Sequence, residues 1–215
     1  PSGWGKTTLL NMIAGFITPT SGSLSLGGVD IESPGAERGM VFQQGALFEW
    51  LTVARNVDFG LRMKGRTEAD SAEAVEFWLE TVGLQGFGNT PTYQLSGGMQ
   101  QRVSIARALS FQPKLLLMDE PFGALDEITR DHLNQQLLEL WRKTGKTVVF
   151  VTHSIPEAVF LSTRVIVMSP RPGQVMDVIP CNFSKDRTLD IRETCLLYTS
   201  PSPRDQRGSR MPSSA

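Results

Sequence analysis

The first eight residues have the types and spacing that bind phosphate. They read Pro-Ser-Gly-Trp-Gly-Lys-Thr-Thr and run directly into the apolar positions of a helical pattern. Glycines let consecutive backbone N–H groups turn inward, and the following helix adds the positive end of its dipole. Lys6 supplies a charge for the β- and γ-phosphates, and Thr7 offers a hydroxyl to Mg²⁺. The segment predicts a nucleotide site; the alternative is a glycine-rich turn that only caps a helix.

The phosphate-binding pattern G-x-x-x-x-G-K-[ST] requires a glycine just before residue 1. The chain therefore begins inside its own motif, and we expect a domain that is truncated at its N-terminus. The candidate phosphate-binding residues are Ser2, Gly3, Trp4, Gly5, Lys6, Thr7 and Thr8. The apolar positions of the helix that follows are Leu9, Leu10, Met12, Ile13 and Phe16.

A second glycine-rich turn occurs at residues 95–98, again at the start of a helical pattern. A backbone turn with a helix dipole behind it is a second anion site. One nucleotide rarely needs two such sites in one chain. We infer that Ser96, Gly97 and Gly98 serve a nucleotide held mainly by another copy of the protein.

Ionisable side chains follow two predicted core strands. Residues 115–118 form a continuous apolar run that ends in Asp119 and Glu120, and residues 147–152 form a second buried strand that ends in His153. The carboxyl ends of parallel strands are where α/β sheets bind ligands. Asp119 can hold Mg²⁺, Glu120 can accept a proton from water, and His153 can donate to a phosphate oxygen. The alternatives are acids that only cap a strand and a structural histidine.

The elements that must position these groups alternate between strand and helix. Residues 23–26 predict a surface β-ribbon, and residues 39–42 predict a short buried strand that ends at Gln43. Residues 51–82 carry apolar residues at helical spacing, with Val75, Trp78, Leu79 and Val82 on one face. We therefore predict an α/β core with a mainly parallel sheet and an inserted helical subdomain at residues 47–109.

The composition limits the class of protein. The 215 residues carry a formal net charge of −1, which argues against binding nucleic acid through bulk positive charge. Cys181 and Cys195 have neither metal-ligand nor disulfide spacing, which fits a reducing cytosol. No apolar run reaches the length of a membrane span. We expect a protein that is soluble by itself.

Four motifs in this order, followed by His153, resemble the ATP-binding subunits of ABC transporters. They are the segment that contains Gly5, Lys6 and Thr7, the strand end at Gln43, the Leu-Ser-Gly-Gly-Met-Gln-Gln-Arg stretch at 95–102, and Leu-Met-Asp-Glu-Pro at 117–121. The resemblance covers residues 1–194 and implies a P-loop NTPase core. Within the family, residues 35–43, 157–160 and 169–173 look like the nitrate/sulfonate/taurine group of bacterial importers.

The resemblance implies a role for each matching residue. ATP would be held by the phosphate loop, with Mg²⁺ at Thr7, Asp119 and Gln43, and Gln43 would also sense the attacking water. Glu120 is similar to the catalytic base, and His153 matches the histidine at the γ-phosphate. Ser96, Gly97 and Gly98 would reach the γ-phosphate of the partner chain, and Asp126 would cross the interface beside them.

The implied function is an ATPase subunit of an importer. Two chains, expected to be a homodimer, would hydrolyse ATP to drive uptake of a small anion such as nitrate, sulfonate or taurine. The implied partners are membrane permease subunits and, indirectly, a periplasmic solute-binding protein, with the ATPase peripheral to the cytoplasmic face of the bacterial inner membrane. Residues 47–109 and the Gln43 loop would contact the permease.

Other classes of function remain open from the sequence. A soluble ABC-type ATPase acting on DNA or ribosomes is one, although such proteins carry a long coiled coil or two cassettes in one chain. A P-loop small-molecule kinase is another, although it has no need of the 95–102 stretch. The fragment could also be inactive as given. Residues 195–215 are rich in Ser, Pro and Arg, and we expect a disordered, non-native tail.

Overall fold

The structure is a computed structural model that describes residues 4–43, 46–182 and 187. Its helices are α1 (Lys6–Ala14), α2 (Val53–Met63), α3 (Glu68–Thr81), α4 (Gly97–Ser110), α5 (Glu127–Thr144) and α6 (Ile155–Leu161). Its strands are β1 (Ser25–Leu26), β2 (Val29–Asp30), β3 (Arg38–Val41), β4 (Leu115–Asp119), β5 (Thr147–Val151), β6 (Arg164–Met168) and β7 (Val175–Pro180).

The core sheet is parallel and has β4 in its centre. Its strand order is β3-β4-β5, with Leu115 opposite both Arg38 and Thr147. Four of the five β4 residues are buried because helices cover the sheet, which explains the unbroken apolar run in the sequence. The predicted α/β fold with a parallel sheet is confirmed, and its strands end at the same edge.

Two antiparallel hairpins accompany this sheet. The β1–β2 hairpin is the predicted surface ribbon, and its tight turn contains Gly27 and Gly28 at positive φ. The β6–β7 hairpin pairs Arg164 with Pro180 and joins its strands through the turn at residues 169–174. The turn of this second hairpin and the end of β6 lie close to residues 4 and 5 of the predicted phosphate loop.

The helices α2, α3 and α4 pack against one another. Their apolar faces meet in a buried cluster that includes Val57, Trp78 and Val103. Thr52 caps α2, and Thr67 with Asp70 forms a capping box on α3, so each helix starts where its side chains satisfy the free N–H groups. We propose that this block, at residues 47–109, is a subdomain inserted in a domain spanning residues 1–194.

Two details differ from the sequence-based predictions. Phe16 is not on the apolar face of α1: Gly15 ends that helix at a φ of 85°, and Phe16 beyond it is 53% exposed. The β5 strand is only half-buried. Among the described residues β5 pairs with β4 alone, so one of its edges has no strand beside it there.

No helix in the described part of the chain is long and apolar enough to cross a membrane. The prediction of a disordered tail at residues 195–215 lies outside the described residues.

Candidate active site

The phosphate loop leads into α1 as predicted. Gly5 has a φ of 84°, a left-handed conformation that suits glycine, and α1 begins at Lys6. The first N–H groups of this nine-residue helix therefore lie beside the loop. Ser2 and Gly3, which the sequence also predicts as phosphate ligands, lie outside the described residues.

A cavity of about 300 Å³ opens at this helix start. It is lined by Trp4, Gly5, Lys6, Thr7, Thr8, Glu120, Arg171 and Gly173. The cavity thus joins the predicted phosphate loop to the end of β4 and to the β6–β7 turn. Lys6 and Arg171 bring positive charge to it, and Glu120 brings a carboxyl group.

Thr7 and Asp119 come together although 112 residues separate them. The Thr7 hydroxyl donates a hydrogen bond of 3.2 Å to Oδ1 of Asp119. Thr7 is in the first turn of α1 and Asp119 is the last residue of β4, so the parallel sheet delivers the carboxylate to the phosphate loop. Two oxygen ligands of the type that Mg²⁺ prefers therefore lie side by side.

The electrostatics of Asp119 favour a nearby cation. Burial raises the pKa of Asp119, and the adjacent charge of Glu120 raises it further, while the Thr7 hydrogen bond and the charge of Lys6 lower it. Burial disfavours the ionised carboxyl group, so the folded site gains from a positive charge placed beside it.

Glu120 and His153 form a second pair at the same edge of the sheet. Nδ1 of His153 lies 3.1 Å from Oε2 of Glu120. The Glu120 backbone has a φ of 43°, unusual for a residue with a side chain, and its N–H donates to the Val151 carbonyl at 2.9 Å. Unusual backbone conformations of this kind concentrate at functional sites, and this one lies at the residue whose carboxyl group contacts His153.

Gln43 approaches the same region from β3. A Cβ atom at Gly123 would lie 3.7 Å from Nε2 of Gln43 and 3.4 Å from the Glu120 carbonyl oxygen. The Gln43 amide is therefore next to the turn that follows Glu120. The predicted cluster of Gln43, Asp119, Glu120 and His153 is brought to one edge of the sheet.

The 95–102 stretch lies elsewhere. Ser96 caps α4 and accepts a hydrogen bond from the Met99 N–H at 3.3 Å, and Asp126 caps α5 in the same way at 2.9 Å from the Thr129 nitrogen. Gly98 packs against α5, since a Cβ there would lie 3.0 Å from Thr129 Cγ2. The Thr129 N–H holds the pKa of Asp126 below its usual value.

Neither cap reaches the phosphate cavity of its own chain. Among the described residues, Ser96, Gly97, Gly98 and Asp126 are absent from the lining of that cavity. Ser96, Gly97 and Asp126 are exposed. The predicted second anion site at the start of α4 is therefore separate from this cavity.

Sequence reasoning assigned no chemical role to Arg171 and Gly173. Both line the cavity, although in the sequence residues 169–173 indicated only a resemblance to a group of importers. No local pattern indicated their place, because the turn belongs to the antiparallel β6–β7 hairpin and not to the parallel sheet whose strand ends bind ligands.

A second polar group that the sequence did not indicate lies next to His153 along the chain. The Thr152 hydroxyl donates to the Glu157 carboxyl group and accepts from the Ser154 N–H at 2.9 Å. Burial raises the pKa of Glu157, which is 5% exposed, while its Thr152 hydrogen bond lowers it. A buried acid at helical spacing in α6 was not recognisable from the sequence as a partner of the strand end.

Comparison with known proteins shows a match to one protein family. Residues 1–123 match the sequence profile of a family described as ABC transporter. The Taurine import ATP-binding protein TauB of Pelagibacter ubique is 63% identical over 175 residues, 81% of this chain and 66% of its own length. The protein of the same name from Jannaschia sp. is 55% identical over 194 residues, 90% of this chain and 72% of its own length. The chain thus spans about two thirds of these curated relatives.

A solved structure supports the same fold. The ATP-binding cassette MJ0796, described as a dimer in a post-hydrolysis state bound to ADP and Pi, superposes with a TM-score of 0.73 and 34% identity. The match covers 86% of this chain and 84% of that one.

Proposed function

The chain belongs to the ABC transporter ATP-binding family, and we propose that it is the ATP-hydrolysing subunit of an importer. The observation that carries the proposal is the pair of contacts between Thr7 and Asp119 and between Glu120 and His153. One member of each pair, Thr7 or Glu120, lines the cavity. Together they offer a metal site and a proton acceptor beside a phosphate loop. Release of inorganic phosphate from ATP, in the presence of Mg²⁺, tests the activity directly.

The residues present fit a magnesium ion. Mg²⁺ is commonly held through one or two carboxylates and the phosphates of its substrate, and Asp119 and Thr7 supply the protein oxygens. Gln43 is the third proposed ligand. When bound, Mg²⁺ neutralises charge that develops on the phosphates.

Each residue of the proposed site then has a defined role. Lys6 and the N–H groups at the start of α1 bind the β- and γ-phosphates. Glu120 accepts the proton of the attacking water, and His153 donates to an oxygen of the γ-phosphate. Their mutual hydrogen bond orients both groups before the substrate arrives.

The reaction requires two chains. Ser96, Gly97 and Gly98 sit at the start of the 14-residue helix α4, which carries a positive dipole end, yet they do not line the cavity of their own chain. We propose that they bind the γ-phosphate of a nucleotide held by a second copy, with Asp126 beside them. The name of the dimeric ADP-bound relative supports this arrangement.

An aromatic cluster after the Gln43 loop is the proposed contact with membrane permease subunits. Phe48 lies with its ring centroid 5.3 Å from that of Trp50 and 4.5 Å from that of Phe59. Trp50 is 79% exposed. Arg107 holds the same loop through the Ala46 carbonyl at 2.9 Å. Exposed aromatic clusters of this kind are typical of protein interfaces.

A groove of about 410 Å³ extends the proposed permease surface. It runs between α2, α3 and the end of α4 and is lined by apolar residues such as Leu61, Phe77 and Phe111 and by charged residues such as Lys64. Single cysteines at Trp50 and Phe77 should crosslink to a permease subunit in membranes. A cysteine at Glu139, on the exposed side of α5, is the control; equal crosslinking from all three would contradict the proposal.

The names of the relatives support taurine, or a closely similar small sulfonate, as the solute. We propose that the subunit binds the cytoplasmic face of the bacterial inner membrane and acts with a periplasmic solute-binding protein. The chain should restore taurine uptake to a cell that lacks its own taurine import ATP-binding protein. The Lys6→Ala variant should not restore it.

The other classes of function are disfavoured. The relatives are named as import proteins, which argues against a soluble ABC-type ATPase of DNA repair or the ribosome. A small-molecule kinase would form ADP and a phosphorylated product, whereas the proposed ATPase forms ADP and inorganic phosphate.

A further inference from the structure

The turn between β6 and β7 has a fixed shape. The Ser169 hydroxyl donates to the Pro172 carbonyl at 2.8 Å and accepts from the Gln174 N–H at 3.0 Å. The Ser169 N–H also donates to the Gln174 carbonyl at 2.9 Å. Hydrogen bonds thus close both ends of the turn and fix the backbone that carries Arg171 at its tip.

This turn lies against the phosphate loop. A Cβ atom at Gly173 would lie 2.5 Å from the Trp4 carbonyl oxygen, too close for any side chain. Met168, at the end of β6, contacts the same junction, because its Cε would lie 3.9 Å from a Cβ at Gly5. Backbone therefore touches backbone, and glycine at 173 allows the approach.

The contact adds a positive charge to the cavity. Arg171 lines the cavity together with Lys6 and Glu120. A guanidinium group stays charged at all physiological pH values and can bind phosphate through two parallel N–H donors. A nucleoside triphosphate brings several negative charges, of which Lys6 alone can match only part.

We propose that the turn at residues 169–174 is a wall of the nucleotide site and that Arg171 binds a phosphate of the nucleotide. The inference rests on the proposed function, since it assigns a further residue to the same site. Gly173 is a positioning residue, because it permits the contact with Trp4 that brings Arg171 to the cavity.

The test compares the affinity of the whole chain for ATP with the affinities of variants at Arg171 and Gly173 and of their controls. Arg171→Ala should weaken ATP binding about three- to tenfold, the range for a partly exposed charged contact. The difference should shrink at high salt. Arg171→Lys should recover part of the loss. Arg164→Ala is the matched control, because it removes the same charge from the far end of β6.

The variant at Gly173 tests positioning. Gly173→Ala should weaken ATP binding although Arg171 is retained, because the added methyl group pushes the turn away from Trp4. Gly88→Ala is its control, since a Cβ there meets Ala54 at an ordinary 3.5 Å. Thermal melting of every variant separates a change in binding from a loss of fold.

The outcomes distinguish the two claims. If the chain binds ATP, Lys6→Ala abolishes that binding and Arg171→Ala binds as tightly as Arg164→Ala, the role of Arg171 is wrong and the proposed function stands. A loss of melting temperature that accounts for the weaker binding of Arg171→Ala also contradicts the inference. If the unaltered chain binds no ATP, the proposed function itself fails.

Discussion

Nδ1 of His153 lies 3.1 Å from Oε2 of Glu120, so the proposed base and the proposed γ-phosphate ligand are one hydrogen-bonded unit. Only the imidazolium form of histidine can donate from both ring nitrogens at once. If Nδ1 donates to the Glu120 carboxylate, donation to a phosphate from Nε2 requires that form. The two residues should therefore behave as a pair in catalysis.

Replacing Glu120 by Gln should lower the rate of ATP hydrolysis about 10²- to 10⁴-fold, because the variant has no proton acceptor. ATP binding should persist, since the amide keeps the shape of the side chain. Steady-state phosphate release measures the first effect and equilibrium binding the second. Glu127→Gln, at the exposed start of α5, is the control. A hydrolysis rate equal to that of the control would show that Glu120 is not the base.

The pair should also be non-additive. His153→Ala should lower hydrolysis, and the double variant with Glu120→Gln should be about as slow as the slower single variant, because members of one unit lose the same step. Rates from the four proteins of this cycle give the coupling. If the rate losses of the two single variants multiply in the double variant, the 3.1 Å contact has no role in catalysis.

Thr7→Val should weaken the dependence of ATP binding on Mg²⁺. The variant keeps the size of the side chain but loses the hydroxyl that lies 3.2 Å from Asp119. Affinity for ATP with Mg²⁺ should fall at least about tenfold, the value expected for a lost contact to a charged group. Affinity measured with a chelator should change little. The control is Thr18→Val, at an exposed threonine beyond α1.

Glu157 should make the stability of the chain depend on pH. Burial raises its pKa above the usual 4.5, so the folded state binds more protons than the unfolded state in the interval above 4.5. The free energy of unfolding should therefore fall as pH rises through that interval, by about 1.4 kcal/mol for each pH unit at most.

The matched variants for this effect are Glu157→Gln and Glu139→Gln. In Glu157→Gln the side chain can still accept the hydrogen bond from Thr152. Its free energy of unfolding should not fall as pH rises, so this variant becomes more stable relative to the unaltered chain. Glu139→Gln changes an exposed acid of α5 and should keep the pH dependence of the unaltered chain. Urea unfolding across the interval measures both; identical pH profiles for the two variants would contradict the burial argument.

Asn56 should be important for the loop that carries the aromatic cluster. Its side chain is fully buried, accepts from the Phe48 N–H at 2.9 Å and donates to the carbonyls of Phe48, Leu51 and Thr52. Asn56→Ala removes the acceptor of the Phe48 N–H and the amide donor to the Leu51 carbonyl, and it should cost about 1–3 kcal/mol of unfolding free energy. Asn89→Ala, at an exposed asparagine, should cost far less in the same urea titration.

The sequence was sufficient for what depends on local pattern. The apolar run at 115–118 predicted a buried strand, and glycine-rich turns predicted the starts of α1 and α4. Because parallel strands end at one edge, the meeting of Asp119, Glu120 and His153 could also be predicted. These inferences need only periodicity and chain direction.

Contacts that depend on tertiary packing were not predictable. The approach of Gly173 to Trp4 joins residues at opposite ends of the chain, and no local pattern specifies it. Buried polar groups such as Asn56 and Glu157 appear polar in the sequence and so indicate a surface. Phe16 was misplaced because Gly15 ends the helix before the apolar pattern does.

The most direct test of the central claim, a site completed by two chains, is the mass of the Glu120→Gln variant measured by sedimentation with and without Mg-ATP. We predict a monomer without nucleotide and a dimer with it, because the variant binds ATP but cannot hydrolyse it. Adding Ser96→Arg should abolish the dimer, since the bulky charge occupies the exposed start of α4. A variant that binds ATP yet stays monomeric, or a dimer that is unaffected by Ser96→Arg, would contradict the shared site.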